Sequence, residues 1–178
     1  MPVLISYIMF GAGYIAYTTF IVAYLRRNLD YTATDITLFW GVVGAVATGA
    51  GIAWGPVLSR LRGGYAVAAA NAVVALGAIL PVVWQTRSAA FVSALLFGGS
   101  FLIVPTSVTA FARRAMPPHD WTASIAVLTI GFAIGQCVGP LLSGAVSDGS
   151  HGLGGGLLAS GGILAAAAVI VLFQREPE

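Results

Sequence analysis

The sequence predicts an all-α, polytopic membrane protein in which six transmembrane helices form a 3+3 inverted repeat. Three observations carry that prediction. Apolar residues make up 58% of the 178 and charged residues only 8%, whereas a soluble domain carries roughly 45–50% and about 25%. The apolar residues fall into six runs of span length, and two of these runs match two later ones in the same order. The composition excludes a water-soluble enzyme. At about 20 residues per span the chain holds six helices joined by short loops, with nothing over for a separate globular domain.

Span one, over 4–25, ends at Arg26-Arg27-Asn28-Leu29-Asp30. Span two, 36–58, ends at Ser59-Arg60-Leu61-Arg62-Gly63-Gly64, and span three, 65–84, at Gln85-Thr86-Arg87-Ser88. Span four covers 89–112 and is closed by the segment from Arg113 to Asp120; span five covers 121–147 and span six 155–173. Only helices and closed barrels satisfy their backbones in lipid, and these unbroken runs lack the two-residue alternation of barrel strands. The start, Met1-Pro2-Val3-Leu4, has no basic segment ahead of the apolar run, so span one itself carries the targeting signal.

Eight arginines, four aspartates and two glutamates leave a net charge of +2, too small for nucleic acid; the partner that the composition implies is the lipid bilayer. Cys137 has no second cysteine to bond. One set of loops holds Arg60, Arg62, Arg113, Arg114 and Arg175, the other Arg26, Arg27 and Arg87. Five against three predicts that both termini are cytoplasmic.

The stretch from Phe10-Gly11-Ala12-Gly13-Tyr14 to Arg26-Arg27 matches that from Phe97-Gly98-Gly99-Ser100-Phe101 to Arg113-Arg114 without a gap. A second match sets Gly51 to Ser59 against Gly135 to Ser143, both reading G-x-x-x-G-P-x-L-S. The chain therefore divides into repeat one, 1–87, and repeat two, 88–178, within a single domain. A unit of three spans returns on the opposite side of the membrane, so its second copy is inverted. Inverted repeats are characteristic of secondary transporters with alternating access to a midplane site.

Gly131, Gly135, Gly139 and Ser143 recur every four residues on span five, and Gly51 and Gly55 repeat the pattern on span two. Such faces admit close helix packing. Pro56 and Pro140 each free a backbone carbonyl and permit bending. No Asp, Glu, Lys, Arg or His occupies the middle of a span, which removes intramembrane ion pairs and most enzyme readings; His119 and His151 fall in loops on opposite sides. Neither a catalytic centre, a metal site nor a cofactor is expected. The central polar candidates for a solute cavity are Tyr14, Tyr17 and Thr18 on span one, Thr106 beside Pro105 on span four, and Gln136 on span five. Tyr7, Gly11, Tyr14 and Thr18 share one helical face, and the Gln136 amide needs a partner in hydrocarbon. Trp40 and Trp84 are read as interfacial anchors.

Three segments carry a resemblance: Phe10-Gly11-Ala12-Gly13-Tyr14-Ile15, the loop from Gly55 to Gly64, and the run from Gly131 to Gly144. They are similar to the carboxy-terminal six-helix half of a major facilitator superfamily transporter, in its YbfB/YjiJ-like branch. The loop resembles the G-x-L-x-D-R-x-G-R-R signature at Gly55 and Arg60, while Ser59 stands at the acidic position and Gly63-Gly64 replace the basic pair. The run containing Gly135, Gly139 and Pro140 resembles the G-x-x-x-G-P motif of antiporters, which implies efflux. The resemblance further implies a cavity lined by spans one, two, four and five, and a bacterial cytoplasmic (inner) membrane location. A complete member has twelve helices, so the amino-terminal half is apparently missing, and the expected partner is that half, a second copy or another subunit. The function expected is secondary active transport of a small organic solute. The alternative is a six-helix scaffold that binds a membrane partner and transports nothing.

Overall fold

The structure is a computed structural model that describes residues 1–149 and 151–174; Arg175, counted above among the loop arginines, lies outside the described residues. Helix α1 (Pro2–Asn28) is span one, α2 (Ala33–Leu58) span two and α3 (Tyr65–Val83) span three. Span four is two helices, α4 (Arg87–Gly98) and α5 (Ile103–Ala115); a short 3-10 turn (Pro118–Asp120) then leads into α6 (Trp121–Ser147), span five, and α7 (Gly152–Val171) is span six. All six are long and apolar enough to cross a membrane, and among the described residues there is no strand.

Local chemistry sets the starts of two spans. Thr32 and Asp35 form a reciprocal capping box on α2: the Asp35 amide donates to Thr32 Oγ1 at 3.2 Å and the Thr32 amide to Asp35 Oδ2 at 2.9 Å. That satisfies two N–H groups that a helix start leaves unpaired. Thr86 does the same for α4, accepting from the Ala89 amide at 3.2 Å.

The continuous fourth span predicted from the sequence is broken between Gly98 and Ile103. Two glycines, Gly98-Gly99, weaken the helix there, and Pro105 has no N–H to give to the Phe101 carbonyl. The chain tightens instead, with Ser100 N–H donating to Phe97 O at 3.1 Å and Ile103 N–H to Ser100 O at 3.0 Å. These are three-residue bonds of the 3-10 type. By contrast α2, α3 and α6 run continuously through Pro56, Pro81 and Pro140. In α3 the carbonyl that Pro81 leaves without its helical donor, that of Gly77, takes the Ser93 hydroxyl of α4 at 2.5 Å.

Small residues decide the packing. Helix α1 lies between α6 and α7; span four lies against α2 and α3; α3 and α7 pack on each other. Exchanging spans one and four, two and five, and three and six carries these contacts onto one another, but α6 also packs on α7 while α2 and α3 make no comparable contact. Repeat-equivalent glycines mark the two corresponding contacts: a methyl at Gly11 would strike the Phe132 carbonyl of α6, and one at Gly98 would lie 2.7 Å from the Val43 carbonyl of α2. On the other side of α1, Ser160 of α7 donates to Gly13 O at 2.6 Å and Ser6 donates to Ala167 O at 2.9 Å. Asn71 of α3 is fully buried and reaches Ser6 Oγ at 3.4 Å.

Candidate functional site

The polar face expected on span one proves to be the edge of an aromatic cluster. Tyr14 is the hub, with ring centroids 5.6 Å from Phe10, 6.1 Å from Phe97, 5.8 Å from Phe101 and 6.3 Å from Phe132. Phe10 and Phe97 are 1% exposed, whereas Tyr14, Phe101 and Phe132 are half-buried. The gapless repeat match pairs Phe10 with Phe97 and Tyr14 with Phe101, each pair being one turn apart on its own segment. The two matched pairs of rings therefore lie side by side in offset, near-parallel contact, and the second pair sits where span four tightens. Phe132 of α6 extends the group toward Tyr7, with centroids 5.0 Å apart.

The candidates read from the sequence divide in three ways. Tyr17 does not face a cavity: it is fully buried, its hydroxyl pairs with Ser93 Oγ at 2.8 Å, and its ring packs on Phe97 at 4.3 Å. A phenol in apolar surroundings needs a partner, and Ser93 with the freed Gly77 carbonyl supplies one, so Tyr17 joins spans one, three and four as core. Thr18 and Thr106 are accessible, but their hydroxyls bond their own helices, Thr18 to Ile15 O at 3.0 Å and Thr106 to Leu102 O at 2.8 Å. Thr106 lies on an open face of α5 with Pro105 and Thr109 and stands apart from the rings. Gln136 is half-buried one turn beyond Phe132. It sits between Gly135 and Gly139, both of which press on Ala12, so it lies level with the middle of α1. Pro140 also deprives the Gln136 carbonyl of its helical donor.

The small-residue faces differ. Gly131, Gly135, Gly139 and Ser143 are the buried residues of α6. A methyl at Gly135 would strike Ile8 O, one at Gly139 would strike Ala12 O, and one at Gly131 would lie 2.8 Å from the Leu4 side chain. Gly51 and Gly55 of α2 meet nothing within 4 Å. Close packing therefore occurs on span five and is absent from span two within this chain, because α2 leans on span four with a different face, that of Phe39, Val43 and Ala50. Pro56 and Arg60 are likewise exposed.

Residue-by-residue reading missed two further groups. Trp54 of α2 donates its indole N–H to Gly99 O at 2.9 Å, tying span two to the break in span four. Thr19, repeat-equivalent to Thr106, is exposed like it and bonds Ile15 O at 2.7 Å. The repeat match itself would have flagged Thr19. Nothing in the local sequence signals Trp54, whose partner is a backbone carbonyl 45 residues away.

At the Met1 end of the bundle, α1, α5 and α6 diverge around a cavity of about 630 Å³. Val3, Leu4, Phe111, Val127 and Leu128 line it, with Asp120 among the few polar residues. Tyr7 and Phe132 lie one turn further in along their helices. Among the described residues no group of three or more His, Cys, Asp or Glu is placed to hold a metal ion.

Six helices long and apolar enough to cross a membrane, joined by short connections, make an integral, multi-pass membrane protein. No curated protein matches the chain. A family model described as "Uncharacterised MFS-type transporter YbfB" matches residues 1–172, nearly the whole chain, and the chain belongs to that family of transporters of the major facilitator type.

Proposed function

We propose that this chain carries out secondary active transport of a small organic solute by alternating access, as one six-helix half of the pathway. The observation that carries the reading is the break in span four beside Tyr14. Transporters place discontinuous helices around midplane sites, and here span four tightens into turns between Gly98 and Ile103, where the Gly99 carbonyl takes the Trp54 indole. In this reading the solute pathway of the complete transporter runs between spans one, two, four and five, with Tyr14, Thr18, Thr106 and Gln136 contributing to its wall. The G-x-x-x-G-P segments at Gly55-Pro56 and Gly139-Pro140 are the parts that move, and the direction is efflux. The protein resides in the bacterial inner membrane with both termini cytoplasmic.

The other half is supplied by a second six-helix unit, whether an amino-terminal half, a second copy or another subunit. The open face of α2 supports this. Lipid-facing surfaces carry large aliphatic side chains, as α6 does at Ile134, Leu141 and Leu142, but α2 presents Gly41, Gly44, Gly51 and Gly55. A bare glycine face suits another helix better than it suits lipid.

The test is flux of labelled neutral and aromatic solutes in liposomes holding the chain, under an imposed proton or sodium gradient. Gradient-dependent flux is expected, and alanine at Tyr14 or Gln136 should lower it at least about tenfold, the loss that follows a misplaced contact. Leakage equal to that of empty liposomes would exclude a pathway built from copies of this chain alone, and its persistence after co-reconstitution with the other six-helix unit would assign the chain as a scaffold instead.

A further inference from the structure

The aromatic cluster has a geometry that plain core packing does not require. Its nine ring contacts all lie within 31° of parallel, and Tyr14 and Phe101 are 3° apart at 5.8 Å. Edge-to-face pairs, as favourable between packed rings as offset stacks, are absent from this group; the one such pair among the described ring contacts is Phe39 with Trp40, outside it. The inner rings, Phe10 and Phe97, are closed off, while the outer ones, Tyr14, Phe101 and Phe132, keep exposed surface. The ladder is thus open along one side.

We propose that the open side of this ladder, formed by Tyr14, Phe101 and Phe132, recognises a planar aromatic solute without a localised charge. The proposal names the substrate class for the transport site above and rests on that reading for transport, though not for binding. Parallel half-exposed rings offer offset stacking to a flat guest at the same orientation in which they stack on one another. The polar groups within one turn on the same helices, the Tyr14 and Thr18 hydroxyls and the Gln136 amide among them, can orient a hydroxyl or carbonyl but cannot neutralise a charge. The cavity at the Met1 end, about 630 Å³, lies within the usual volume of small-molecule sites, about 300–1,000 Å³, and its largely apolar lining ends at Leu128, one helical turn short of Phe132.

The test uses the full chain in lipid nanodiscs and two probes of like size, 2-naphthol and its saturated counterpart decahydro-2-naphthol, with binding to empty nanodiscs subtracted. Saturable binding of 2-naphthol is expected, at least about fivefold tighter than that of the saturated probe, the scale of an aromatic pair. Phe132→Leu and Phe101→Leu should each weaken 2-naphthol about threefold to tenfold and leave decahydro-2-naphthol unchanged. Equal affinity for the two probes, or no saturable 2-naphthol binding, overturns the proposal, and this comparison needs no variant that could misfold. Preference for 2-naphthol without flux, even after co-reconstitution with the other six-helix unit, would remove the transport reading and keep the ring surface; gradient-dependent flux without that preference would do the reverse.

Discussion

Spans two and five carry the same G-x-x-x-G-P-x-L-S pattern and meet opposite environments. On α6 the glycines face α1 so closely that Gly135 and Gly139 lie against the backbone carbonyls of Ile8 and Ala12. On α2 the equivalent Gly51 and Gly55 face open space. The difference arises from the receiving helix. Helix α1 presents Gly11, Ala12 and Gly13 on consecutive positions and can be approached from both sides; span four offers Gly98 to α2, so there the small residue sits on the receiving helix. A small-residue stripe records that a close approach is possible. Which helix makes it depends on the shape of the neighbour.

Four substitutions probe this contrast, the largest expected effect first. Gly135→Leu drives a side chain into the α1 backbone, which cannot move as a flexible side chain would, and should cost about 3 kcal/mol or prevent assembly; unfolding of the purified chain in detergent would measure it. Gly98→Val should cost about 2 kcal/mol by pushing on Val43, and it tests whether span four is the receiving partner of span two. Trp54→Phe removes the indole donor from Gly99 O and should cost about 1 kcal/mol, with faster hydrogen exchange around the break as its local sign. Gly55→Leu should change the stability of the isolated chain by less than about 0.5 kcal/mol, while weakening association with a second six-helix unit in a co-purification assay. A large loss of stability for Gly55→Leu in the isolated chain would erase the contrast between the two spans.

Much of the architecture was legible because hydrocarbon leaves few choices. A run such as that of span three, bounded by Gly63-Gly64 and by Gln85 to Ser88, can satisfy its backbone only as a helix, and the helix α3 runs from Tyr65 to Val83. The glycine stripe of α6 follows from spacing alone, since it involves neighbours on one helix. The break in span four was less accessible: its ingredients, Gly98-Gly99 and Pro105, were visible, but Pro56, Pro81 and Pro140 sit in helices that stay whole. A proline in a span weakens one bond of the helix; neighbouring helices decide whether the chain bends there.

The candidate site was legible in part. Tyr14 was placed by its central position and Gln136 by its polarity, yet Tyr17, equally central and equally polar, is sealed in the core by Ser93 and Phe97. Three residues beyond Tyr14, it turns toward span four at a depth where the Ser93 hydroxyl waits. Local spacing gives its face on α1 but not which element covers that face.

The sequence by itself determined the number of spans and their boundaries to within a few residues, because each follows from apolar length and local spacing. Only the tertiary structure decided which glycine face is occupied, which tyrosine is core and which borders open space, and that four rings from two repeats stack at one place. Those are contacts between segments tens of residues apart, set by the shapes of two surfaces at once, and no single stretch of chain contains both.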